Sequence, residues 1–130
     1  MSLALLVERI LNDPRGPAEI IADDEAARGF NVVRPGDAPW FQPNEWRAAS
    51  VSSVDDMGHV RLVLLDAILP GTGALRRTLT SIRFLGMKPL IIEPTRELAN
   101  TLTLNGWRSR TYGGGMDAET RWWPRQRATL

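Results

Sequence analysis

Apolar positions change period several times along the chain. Leu3, Leu6, Val7, Ile10 and Leu11 recur at helical spacing, which predicts a short amphipathic helix over residues 2–11. Pro14, Gly16 and Pro17 punctuate its end. The stretch AEIIADDEAARG predicts a second helix that closes at Gly29. FNVVR is a short strand. PGDAPWFQPN is a proline-rich loop carrying Trp40 and Phe41, and WRAASVSSV is strand-like. The turn DDMG joins that strand to HVRLVLLDAIL as a hairpin. HVRLVLLDAIL is the strongest strand of the chain, and its continuously apolar middle suits a central strand covered on both faces.

After Pro70-Gly71-Thr72-Gly73, the residues Leu75, Leu79, Ile82 and Leu85 mark a helix that runs to Gly86. KPLIIE is a strand, and TRELANTLTLNG is a helix stopped by Asn105-Gly106. WRSRTY is a strand, GGGMDAE a turn, and TRWWPRQRAT an antiparallel return. The expected fold is α/β in one domain spanning residues 1–130. It has antiparallel strands first, then a parallel strand-helix-strand crossover, then a C-terminal hairpin.

Size and composition set bounds. A chain of 130 residues suits one core. No apolar run reaches the roughly 18–20 residues of a membrane helix. The first residues include Glu8 and no basic leader, so they read as structure and not as a signal peptide. These features point to the cytoplasm or the interior of a virus particle. There is no cysteine, which excludes disulfides, thiolate zinc sites and cysteine nucleophiles. His59 is the single histidine, so no metal site is expected. The net charge of +1 hides an asymmetry. The first 60 residues hold 5 Arg against 10 Asp/Glu, and the remainder hold 11 Arg/Lys against 5. A basic half attracts phosphates, nucleic acid or an acidic partner, although these basic residues are spaced out and equally suit a solvated surface.

The glycine-rich stretch after the strongest strand carries the sharpest chemical signal. Backbone N–H groups at a helix start hold an anion, and glycine lets a phosphate approach closely. The same glycines equally serve a tight strand-to-helix turn. The element order, best from His59 to about Arg127, resembles the GNAT acyltransferase superfamily. In that family a strand runs into a Gln/Arg-x-x-Gly-x-Gly/Ala loop. Here the aligned residues run from Ile68 to Gly73, with both glycines present and Ile68 in the place of Gln/Arg. A second signature, on the later helix, is met by Ala99 and Gly106-Trp107. Arg96 stands in the asparagine position and Leu102 in that of the tyrosine that acts as general acid.

The resemblance implies a mixed sheet with helices on both faces. It also implies acetyl-CoA held by Gly71, Thr72, Gly73 and Ala74, with Arg76 and Arg77 near its phosphates. Asp66 and Glu93 are the candidate bases for removing an amine proton, with His59 as a third. Glu93 equally suits a helix cap.

Two functions are therefore expected from different classes. The first is a GNAT-like module that has lost its chemistry, needs no cofactor and serves an assembly, such as a phage virion accessory component. The second is an acetyl-CoA-dependent N-acyltransferase acting on a small-molecule or protein amine. Trp122 and Trp123 are adjacent and so point to opposite faces of a strand. With Arg125 and Arg127 they form the expected partner-binding patch, by the usual composition of interfaces. Trp40, Phe41 and Trp46 offer another aromatic contact surface. Nucleic-acid binding by the basic half is a third option.

Overall fold

The computed structural model describes Glu8 and residues 15–115, 118–126 and 128–130. The helix expected over residues 2–11 lies outside the described residues, apart from Glu8. The elements that follow are α1 (Pro17–Ala27), β1 (Asn31–Val33), β2 (Val51–Val54), β3 (His59–Leu64), α2 (Ala74–Phe84), β4 (Lys88–Ile92), α3 (Arg96–Leu104), β5 (Trp107–Tyr112) and β6 (Glu119–Pro124). They form an α/β fold around a six-stranded mixed sheet of order β1-β2-β3-β4-β6-β5. Among the described residues only β3 and β4 pair in parallel, which is the step that α2 crosses over. β1, β2 and β3 pair antiparallel, as do β4 with β6 and β6 with β5.

Local chemistry accounts for the ends of these elements. Pro17 opens α1 without needing an N–H donor. Gly29, Gly86 and Gly106 follow the three helices with φ of 86°, 77° and 84°, a left-handed turn that β-carbons disfavour. Thr95 caps α3 by accepting from the Leu98 N–H, so the cap is Thr95 and not Glu93.

Alternation along β3 divides the core in two. Val60 and Leu62 face α2 and α3, together with Leu79, Ile82, Ile91, Leu102 and Trp107. Val63 faces α1, where Ala18, Ile21 and Val51 form a smaller cluster. Helices thus cover both faces, but α1 covers only the half of its face formed by β1–β3.

Three local expectations need correction. β2 is shorter than predicted, because Arg47–Ser50 turn back on Asp66 and only Val51–Val54 are extended. β3 ends at Leu64; beyond it Ala67 makes one isolated bridge to Trp46. The proline-rich loop is no contact surface. Trp40, Phe41 and Trp46 are buried in the main core cluster, with Trp40 and Phe41 stacked at 5.3 Å. The Trp46 Nε1–H donates to the buried Thr78 hydroxyl on α2 at 2.8 Å. Three aromatic side chains in a loop supply apolar area that the short strands lack.

Candidate functional site

The parallel pair splays. Its register runs from His59 opposite Lys88 to Leu62 opposite Ile91 and then stops, although β3 continues to Leu64. Beyond this point a gap of about 100 Å³ lies between Leu62–Leu65 and Ile91–Pro94, closed by Thr95 and Leu98. On the α2–α3 side the gap meets a groove of about 790 Å³ that reaches from Leu65 and Asp66 to the glycine turn and to Glu97 and Thr101 of α3. On the α1 side it meets a pocket of about 300 Å³ lined by Ile21, Val63, Leu64, Ile92 and Glu93. Three cavities therefore share walls at the C-terminal ends of two parallel strands, where α/β folds commonly hold ligands.

The groove ends at the start of α2. Gly71 and Gly73 have φ of 79° and 87°, so both turn the chain in a conformation suited to glycine. A β-carbon on Gly73 would also lie 3.2 Å from Arg77 Nη1. No side chain caps α2, and its first turn has no acidic residue. The N–H groups there keep their positive end toward the groove. The Thr72 hydroxyl donates to the Leu69 carbonyl within the turn. Arg77 donates to the Thr72 carbonyl and pairs with Glu45, so it braces the turn. Arg76 is exposed on the groove wall. The uncapped helix start and Arg76 make this end electropositive.

The candidate bases differ in their settings. Glu93 leaves β4 with φ of 46°, an uncommon conformation for a residue with a side chain and a frequent mark of functional positions. Its N–H donates to the Thr120 carbonyl, and its Oε1 accepts from the Thr120 N–H at 2.7 Å. Asp66 is exposed beyond the end of β3, with its carboxylate 3.6 Å from Arg47 Nε. His59 is half-buried between β2 and β4 and lies at the opposite end of β3 from Asp66. Its ring is 3.1 Å from Asp55. Burial pushes the Asp55 carboxyl up, but hydrogen bonds from the His59 and Met57 N–H groups and the His59 ring hold it below the usual range.

Leu102 is fully buried in the core, so the family's tyrosine position does not open onto the cleft. Tyr112, the single tyrosine, lies elsewhere on the sheet, with Arg121 4.1 Å from its ring.

Trp122 and Trp123 separate as their alternation requires. Trp122 packs on the core with Ile91 beside it, and Trp123 lies on the opposite face. Arg125 is exposed, and Arg127 lies outside the described residues.

Sequence reading missed a buried ionic cluster. Arg61, inside the strongest strand, is only 2% exposed. Its Nε and Nη2 donate to Glu25 at 2.8 and 3.2 Å, and its Nη2 and Nη1 donate to Glu119 at 2.6 and 3.3 Å. Arg28 and Arg121 also donate to Glu119, at 2.8 and 2.7 Å, and the Ser53 hydroxyl donates to Glu25. Burial alone pushes the Glu119 carboxyl up; hydrogen bonds from Arg61, Arg28 and Arg121 overcome this and hold it far below the usual carboxylate range. The available signal was an arginine within an apolar run. Its partners lie 36 and 58 residues away, beyond the reach of local pattern.

Among the described residues no helix is long and apolar enough to cross a membrane, and no group of three or more His, Asp or Glu could hold a metal ion. The chain matches no family model, no curated protein and no solved structure.

Proposed function

We propose that the protein binds an acetyl-CoA-type thioester across the adjoining cavities at the ends of β3 and β4 and transfers its acyl group to an amine, on a GNAT-like scaffold. The observation that carries this reading is the splay of β3 and β4 into a cleft that ends at the uncapped start of α2. The N–H groups of Gly71–Ala74 would face the pyrophosphate, and Arg76 would add charge. The gap between Leu65 and Pro94 would take the extended thiol arm, and the pocket beside α1 would take the amine. The thioester supplies an activated acyl carbon and a thiol leaving group. Glu93 Oε1 is held by the Thr120 N–H, which leaves Oε2 to accept the amine proton. Val63, Leu64 and Ile92 would give the reacting carbon an apolar wall.

A second reading is a non-catalytic assembly module, such as a virion accessory component. Its support is the burial of Leu102, which leaves the cleft without the family's general acid. Calorimetric titration with acetyl-CoA and with CoA separates the two. Micromolar binding that is lost in Gly73→Val supports the thioester site, and an amine acceptor screen with Glu93→Gln as control then tests transfer. No binding by folded protein at millimolar CoA overturns the first reading and leaves the second.

A further inference from the structure

A second pocket of about 550 Å³ lies on the sheet face that α1 leaves uncovered, at the opposite ends of β3 and β4 from the cleft. We propose that it is a binding site for a planar aromatic anion, independent of any thioester chemistry. The register across β3, β4 and β6 sets Arg61, Leu90 and Trp123 in neighbouring positions on this face. Its volume lies within the usual range for small-molecule sites.

Two features define the ligand. The first is an aromatic platform without a partner. The Phe30 ring already has Arg61 at 4.7 Å and Arg28 at 5.0 Å, and Tyr112 has Arg121 at 4.1 Å. Trp123, half-buried in the same pocket, has neither a ring nor a cation partner among the described residues. A flat ring seated against its indole and against Leu90 would fill that space.

The second feature is charge. Arg61, Arg83, Lys88 and Arg121 line the pocket, and the lining carboxylate is Asp55, which is occupied by His59 and by two backbone N–H groups. Arg61 and Arg121 are committed to Glu119, and Arg83 donates to the Leu130 carbonyl. Lys88 is exposed and has no carboxylate partner among the described residues. It precedes Leu90 by two positions on β4, so it projects on the same face, about one residue pair along from the indole. A ring on Trp123 with an anionic substituent toward Lys88 satisfies both features, and a neutral ring satisfies only one.

The test uses the full chain and naphthalene-2-sulfonate, with neutral 2-methoxynaphthalene as comparator, followed by the tryptophan indole N–H resonances. The expected result is saturable binding that shifts the Trp123 indole, with the neutral ring binding more weakly. Lys88 is exposed, so Lys88→Glu is expected to keep the fold and to weaken the sulfonate about fivefold. Trp123→Leu is expected to weaken it roughly tenfold. Equal binding of the neutral ring, or an unchanged affinity in Lys88→Glu or in Trp123→Leu, overturns the proposal.

Discussion

β3 carries two polar environments that obey opposite rules. At Arg61 the charge is buried, and Ser53 of β2, Arg28 just after α1 and Arg121 of β6 also hold its two carboxylate partners. At Asp66, just past the strand's end, the carboxylate is exposed and has one loose pair to Arg47. The buried cluster is structure, because the cost of desolvating ions is offset only by complete pairing. The exposed end lies beside an open groove whose backbone donors face outward, which is the arrangement a ligand requires. The difference between the two is satisfaction of polar groups, and residue type alone does not reveal it.

The largest test of this contrast is Arg61→Met. Leaving Glu25 and Glu119 buried without their central cation is expected to cost about 3–5 kcal/mol, read as a lower urea midpoint. Adding Glu25→Gln and Glu119→Gln to that variant should recover part of the loss.

Acid provides the next test. The folded-state pKa of Glu119 is depressed, so its stabilisation is complete above the ordinary glutamate value of about 4.3 and is lost as pH falls below it. Urea midpoints measured from pH 7 to pH 3 should therefore fall with acid, and less steeply in Glu119→Gln. An equal slope in that variant would assign the acid sensitivity to other carboxylates.

Gly73→Ala moves from the buried cluster to the turn. A β-carbon at φ of 87° is expected to cost about 1 kcal/mol, with a larger fractional loss in CoA affinity than in stability. Loss of stability alone would mark the turn as purely structural. The smallest effect is expected at the exposed end of β3: Asp66→Ala should change stability by no more than a few tenths of a kcal/mol. A thermal melt that shifts by several degrees would break the comparison.

Much of the fold was legible in local pattern. The apolar alternation of HVRLVL, the helical spacing of Leu75, Leu79 and Ile82, and the glycines after each helix mark elements that the structure contains. Leu85 misled, since it lies past the last turn and is half exposed. The 47–50 segment misled as well, because small residues with weak alternation yield to turn hydrogen bonds such as Ser50 N–H to the Arg47 carbonyl. In the candidate site, Gly71 and Gly73 were visible because backbone geometry demands glycine there. The strained backbone at Glu93 was not, since the Thr120 groups that hold it come from a distant strand.

Sequence by itself determined most of the described elements, the glycine stops after the three helices and the opposite facing of Trp122 and Trp123, all of which follow from short-range backbone periodicity. Tertiary structure alone decided which strand of the final hairpin joins β4. It also decided that Trp40, Phe41 and Trp46 fill the core and that Arg61 is neutralised by Glu25 and Glu119. These outcomes depend on pairing and burial between residues far apart in the chain. Their energies arise only once water has been excluded from both partners.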